Sequence, residues 1–326
     1  MQRSIHRTVT SRHSEVDMED DVAHQGPLKE LSSALDRLWI PGDGLNDFGL
    51  AIGMPNNLTE LFIVSLDTLY MLKSVLQHCQ NLHSLGLMIT KDQTVPSLRS
   101  ILEEAPASLP NLTSFKLIWP IRYNRGSDTT LPVDALVGFL RTKTQLRRLD
   151  LPLSQQNGSE WPSGPLLDLL PLLPNVEVLG LQVDNISVAS MKALDAKLPL
   201  GLTTLLLEYC REEEDRMGAQ AFLNAVTKRS RLRYLHVLDK SGEMSALQVH
   251  FDAELPKLQL SGYGPRMRWI DKSRYPYHHT TTEWSLEKMT FRSECDFGNE
   301  DWEWLLRCRG WGTLDSLSPG TCPDDW

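Results

Sequence analysis

One apolar pattern returns along this chain and limits what it can fold into. LxxLxL, or a close variant, occurs at Leu58/Leu61/Ile63, Leu82/Leu85/Leu87, Leu112/Phe115/Leu117, Leu146/Leu149/Leu151, Val176/Leu179/Leu181, Leu202/Leu205/Leu207 and Leu232/Leu235/Val237. Successive starts lie 24, 30, 34, 30, 26 and 30 residues apart. A unit that short cannot bury its own hydrophobic face, and a near-constant period lets each unit bury that face against its neighbours. A stack of this kind grows by addition, so the length of 326 residues does not count domains here.

Within each unit, positions 0, 3 and 5 are apolar. In an extended segment, alternate side chains fall on opposite faces, so positions 3 and 5 share one face and positions 2 and 4 the other. Helix-like stretches separate the strands at 67–79, 96–104, 132–141, 164–173, 187–197 and 216–228. Pro96 and Pro132 suit a first helical turn, and Ser187 suits an N-cap. Strand–helix alternation in constant order implies a parallel sheet with helices on one face. The face turned away from the helices then carries Glu60, Ser84, Ser114, Arg148, Val178, Thr204 and Tyr234 at position 2. Position 4 holds Phe62, Gly86, Lys116, Asp150, Gly180, Leu206 and His236. It has no single sign of charge and is expected to be open to a partner.

The ends depart from the pattern. Residues 1–26 are polar and acid-rich and read as a disordered tail. Leu35/Leu38/Ile40 reads as a degenerate first repeat, and 41–57 as loop. The solenoid is expected to span 27–260. Beyond it, 257–260 is a candidate strand, 261–284 an irregular Gly/Pro/aromatic insertion, Leu286/Met289/Phe291 one more repeat-like match, and 301–307 a Trp-rich helix. Residues 261–326 are thus expected to cap the stack irregularly.

A net charge of −9 argues against sequence-independent nucleic-acid binding, which needs clustered positive charge. No run approaches the roughly 20 apolar residues of a membrane helix, and the first 20 residues do not read as a secretory leader. The five Cys are odd in number and widely spaced. They read as reduced thiols, which places the chain in the cytosol or nucleus. The sequons at Asn57 and Asn111 read as turn residues entering strands. No phosphate loop, nucleophile elbow or paired-carboxylate motif occurs, so no catalytic residue or cofactor is assigned. His278, His279, Glu283 and Cys295 lack metal-ligand spacing and read as polar loop. Lys228, Arg229, Arg231 and Arg233 read as a hydrated helix-to-strand turn.

The uneven units, with strands entered by PNL, PNV or QNL, resemble the ribonuclease-inhibitor-like class of leucine-rich repeats. PNLTSFKLIW, TQLRRLDLPL and SRLRYLHVLD resemble the repeat regions of fungal F-box proteins. The resemblance covers roughly Leu31 to Leu260. It implies an α/β solenoid that binds proteins without catalysis, as the substrate-recognition part of a ubiquitin ligase. In that family an F-box recruits a Skp-type adaptor. No LPxEL followed by an apolar helical run stands in the first 60 residues, so this chain is expected not to bind the adaptor itself. The alternative is a regulator or inhibitor of an enzyme or GTPase. The Asn or Cys that regular repeats carry at position 8 is matched only by Cys210, which implies irregular turns after the strands.

Tyr, Trp and Arg dominate interface hot spots. The expected partner-binding residues are therefore Arg148, Tyr234 and His236 on the strand face, with Tyr263, Arg266, Arg268, Trp269, Arg274, Tyr275 and Tyr277 in the 261–284 segment.

Overall fold

The computed structural model describes residues 37–41, 58–64, 70–89, 95–118, 132–152, 164–183, 187–209, 216–239, 252–264, 266–272, 280–283 and 299–306. The described strands form one sheet in strict chain order. They are β1 (Arg37–Pro41), β2 (Glu60–Val64), β3 (Ser84–Met88), β4 (Ser114–Ile118), β5 (Arg148–Pro152), β6 (Val178–Val183), β7 (Thr204–Tyr209), β8 (Tyr234–Asp239), β9 (Leu260–Tyr263), β10 (Arg266–Asp271) and β11 (Thr280–Glu283). β1 to β9 are parallel. β10 runs antiparallel to β9, and β11 antiparallel to β10. Helices α1 (Tyr70–His78), α2 (Val95–Glu104), α3 (Val133–Leu140), α4 (Pro165–Leu169), α5 (Val188–Lys197) and α6 (Arg216–Thr227) connect consecutive strands from β2 to β8. A last helix, α7 (Glu300–Leu306), follows β11 in the chain.

The repeat spacing in the sequence becomes strand register. Leu61 pairs with Leu85, Leu85 with Phe115, Phe115 with Leu149, and the ladder runs on through Leu179 and Leu205 to Leu235. A shared carbonyl sets this register at each strand entry. Thr59 O accepts the N–H groups of both His83 and Ser84, and His83 O those of Thr113 and Ser114. The same pair of bonds recurs at Thr113, Arg147, Glu177, Thr203 and Arg233, all at 2.7–3.2 Å. Turn amides extend the ladder outside the strands: Asn111 donates to Gln80 O at 3.1 Å and Asn175 to Thr144 O at 2.8 Å. Unequal insertions are absorbed between strands and leave this unit unchanged.

Positions 0, 3 and 5 of every described repeat from β2 to β8 are buried in one continuous core with the helices. Leu72, Leu98, Leu136, Met191 and Phe222 come down from the helix layer, and Phe139 meets Phe115 with ring centroids 5.9 Å apart. Each buried Leu contributes about 1.5–3 kcal/mol relative to exposure. Ser187 caps α5 as expected: its Oγ accepts from Ser190 N–H at 3.1 Å, while its own N–H donates to Ser190 Oγ at 2.8 Å.

The 261–284 segment departs from expectation. It contributes most of β9 and all of β10 and β11, so the sheet does not stop at 260. Gly264, at φ 51°, permits the tight reversal between β9 and β10. The Gly and Pro content of the segment read as loop and hid the alternation of Met267 with Arg268 and of Trp269 with Ile270. The tail 1–26, the Leu286/Met289/Phe291 match and every position-8 residue lie outside the described residues.

Candidate functional site: the concave strand face

Two rows of side chains cross the sheet on the face turned from α1–α6. The register places Glu60, Ser84, Ser114, Arg148, Val178, Thr204, Tyr234 and Leu260 in one row. Phe62, Gly86, Lys116, Asp150, Gly180, Leu206, His236 and Gly262 form the other. Three glycines in the second row have a packing reason. A Cβ on Gly86 would stand 2.1 Å from Phe62 Cδ2, one on Gly180 2.3 Å from Asp150 Oδ1, and one on Gly262 2.5 Å from His236 Cγ. Phe62, Asp150 and His236 each lean across the next strand, which must therefore be glycine there.

This face is not bare. α7 lies on it over β6 and β7. Val178, Leu206, Tyr234, Leu260 and Met267 from the sheet and Trp302, Leu305 and Leu306 from α7 form a second apolar cluster, separate from the main core. The Trp302 ring stacks on Tyr234 at 5.5 Å and 29°, and Trp269 meets it at 5.5 Å and 48°.

Polar contacts clamp both ends of the helix. Asn299 Oδ1 accepts from Asp301 N–H at 2.9 Å and Trp302 N–H at 3.4 Å, capping the first turn. Asp301 takes Arg147 Nη1 at 2.9 Å and Arg148 Nε at 2.7 Å, and Glu300 takes Arg148 Nη2 at 2.9 Å. At the other end, Lys116 Nζ donates to the carbonyls of Trp304 and Leu305, the latter at 3.0 Å, where the helix dipole is negative. Lys116 is 2% exposed, with Asp150 Oδ2 at 3.5 Å and the Trp304 ring 4.7 Å away. Burial alone would raise the Asp301 pKa. The hydrogen bond from Arg147, the charges of Arg148 and Arg147 and the hydrogen bond from Arg148 outweigh it and hold the carboxyl below its ordinary value. The Arg147 guanidinium is raised in turn, first by its hydrogen bond to Asp301.

The residues singled out from sequence fall in several places. Arg148, Tyr234 and His236 do point away from the helix layer, but they are 7%, 0% and 0% exposed. The face expected to be open is covered there, by a helix whose acids and tryptophans match it. His236 is bonded on both ring nitrogens, to Tyr234 Oη at 2.7 Å and Gly264 O at 2.9 Å. A carbonyl can only accept, so Nε2 carries a proton; in the neutral imidazole Nδ1 then accepts from the tyrosine hydroxyl. Tyr263 continues position 5 and packs in the main core instead of facing a partner. Arg268 is half-buried and ion-paired with Asp252. Trp269 is half-buried against Trp302. Arg266 opens β10 opposite Tyr263. Arg274, Tyr275 and Tyr277, and likewise His278, His279 and Cys295, lie outside the described residues.

Arg229, read as part of a hydrated turn, is 2% exposed. It ties the ends of α5 and α6 together through Asp195, the carbonyls of Ala225 and Leu198, and the Asp195 backbone. Three helix-end carbonyl groups need donors there, and the guanidinium supplies them. Sequence reasoning placed Lys116 and Asp150 on this face without singling them out, and it did not single out Glu300 or Asp301. The available signal was Asn299–Leu306, NEDWEWLL, a capped acidic turn followed by apolar residues at 302, 305 and 306.

Beyond the C-terminal end of α7 the face opens into a cleft lined by Glu60, Leu61, Phe62, Ser84, Gly86, Lys116 and Trp304. Among the described residues, no three His, Cys, Asp or Glu side chains group as a metal site, and no helix is long and apolar enough to cross a membrane.

Among the described residues, stacked strand–helix units, nine parallel strands in chain order and one helix layer define a leucine-rich-repeat solenoid of the ribonuclease-inhibitor-like type. No family model and no curated protein matches the sequence. Among solved structures, the chain is similar to the leucine-rich repeat-containing protein LegL7 from Legionella pneumophila, at 16% identity and a TM-score of 0.41, over 85% of this chain and 83% of that one. It is also similar to a chain in the complex of Rad7 and Elc1 in yeast, at 17% identity and a TM-score of 0.34, over 73% and 76%.

Proposed function

We propose that this protein is a non-enzymatic scaffold of the cytosol or nucleus that holds a protein partner against its concave strand face. The observation that carries the reading is the pair of side-chain rows. They present charged, aromatic and apolar groups in fixed register, and they already seat a helix through both apolar and charge-assisted contacts. A rigid face with aromatic and Arg anchors is what a protein-binding surface requires. Beside Trp304, Glu60 and Ser84 of this face remain partly exposed. At the other end the proposed contacts reach Arg268 and Trp269 of β10. Substrate recognition for an F-box-type ubiquitin ligase is the finer form of the proposal, and the resemblance of the repeats supports it.

A photo-crosslinking residue at Ser84, against one at the helix-layer position Gln77, tests the reading in cells. A discrete protein adduct from position 84 and none from position 77 is the expected result. Equal labelling from both positions, or none from either, would refute it. A captured protein whose ubiquitylation depends on this chain carries the ligase form.

A further inference from the structure

We infer that α7 is a built-in stand-in for the partner, and that the surface beneath it receives an acidic, tryptophan- or leucine-bearing amphipathic helix from another protein. The inference rests on the concave face being the partner-binding face. Three observations carry it. First, α7 adds nothing to the main core: its apolar side chains belong only to the second cluster, and the solenoid's own core is closed without them. Second, α7 is seven residues long, well below the roughly 12–15 residues at which an isolated helix holds in water. It is helical because the face shapes it, and away from the face a segment of that length does not hold a helix. Third, the face is specific for the charge order of its occupant. Arg147 and Arg148 meet the acidic first turn, and Lys116 meets the terminal carbonyls 3.0 Å away. Reversing the helix would bring basic groups against its positive end.

A partner helix with an Asp or Glu in its first turn and bulky apolar residues three and four positions apart satisfies the same groups. It approaches beside Trp304, where Glu60 and Ser84 of the strand face are partly exposed. The tethered α7 competes with it at an effective concentration of about a millimolar, so a partner gains access only by exceeding that threshold. The fold therefore sets a lower limit on the affinity of what it accepts.

The test uses the full chain and a fluorescein-labelled peptide of residues 296–307 as probe, read by anisotropy. Asp301→Asn with Trp302→Ala weakens the resident helix and leaves the face intact. This variant is expected to bind the peptide about tenfold or more tightly than wild type. Adding Arg147→Ala and Arg148→Ala should remove that binding. Equal affinity of wild type and the weakened chain overturns the inference. So does a wild-type chain that elutes as a dimer with α7 exchanged between copies. Hydrogen exchange on the wild type is independent of any variant. The α7 amides should exchange well ahead of those in β6 and β7, and equal protection overturns displaceability. Adducts at Ser84 with no peptide binding would refute the stand-in alone. Peptide binding without adducts would refute the wider reading.

Discussion

Gly180→Ala adds one methyl group at the centre of the concave face. The new Cβ would stand 2.3 Å from Asp150 Oδ1, 2.6 Å from Asp150 Cγ and 2.8 Å from Leu305 Cδ1. Asp150 is fully buried, with Lys116 Nζ 3.5 Å from its other oxygen, so it cannot swing aside without disturbing a buried charge pair. Leu305 can retreat only by lifting α7. Overpacking of this kind costs about 1–3 kcal/mol. Gly138→Ala is the matched control. It lies on the exposed side of α3, with nothing within 4 Å of its built Cβ. There the same change should stabilise by about 0.5–1 kcal/mol through helix propensity. Two chemically identical substitutions should therefore move the urea midpoint in opposite directions, with m unchanged. Circular dichroism at equilibrium measures both. If Gly180→Ala unfolds at the same or a higher midpoint than wild type, the close approach of Asp150 and Leu305 to β6 is wrong, and the seating of α7 with it.

Leu149 is fully buried between the strands of Phe115 and Leu179; Leu149→Ala should cost about 2–5 kcal/mol, and an unchanged denaturation midpoint would contradict the register. Ser187→Ala removes one half of the capping box and should cost about 0.5–2 kcal/mol by the same assay. Burial pulls the Lys143 amine down to about 8 from an ordinary 10.5. Between those values the unfolded chain binds the proton and the folded chain does not, so stability should rise from pH 8 to 10.5, and Lys143→Met should flatten that rise. Asp301 is depressed below 3.8, so its contribution is complete above that pH and fades as pH falls further. Acid should therefore release α7, seen as faster amide exchange at residues 301–306, and Asp301→Asn should abolish that pH response.

The parts of this fold that could be read from sequence are those written locally. Each strand is specified by three apolar residues within six positions, and the starts of α2, α3 and α5 by Pro96, Pro132 and Ser187. Nothing local marks where α7 lies. Its partners Lys116, Arg147 and Arg148 are 152 to 189 residues away, and no periodicity links them. The concave rows were assigned correctly by strand alternation, because alternation is a property of the backbone. Their burial was not legible, because it depends on a distant helix. Arg229 failed for the converse reason: a basic run looks hydrated until helix-end carbonyls are found converging on one member of it.

Because strands pair only with chain neighbours, most of this protein can assemble as it leaves the ribosome. α7 is the exception. Lys116 is made 189 residues before Leu305. At about 5–20 residues per second, roughly 10–40 s pass between the synthesis of the two. Every newly made molecule passes through an interval in which strands β4 to β9 can form and their concave face has no helix on it. If the face receives a partner as proposed, a protein present at the ribosome in that interval meets it without a competitor, and complexes made during synthesis and those made afterwards then obey different thresholds.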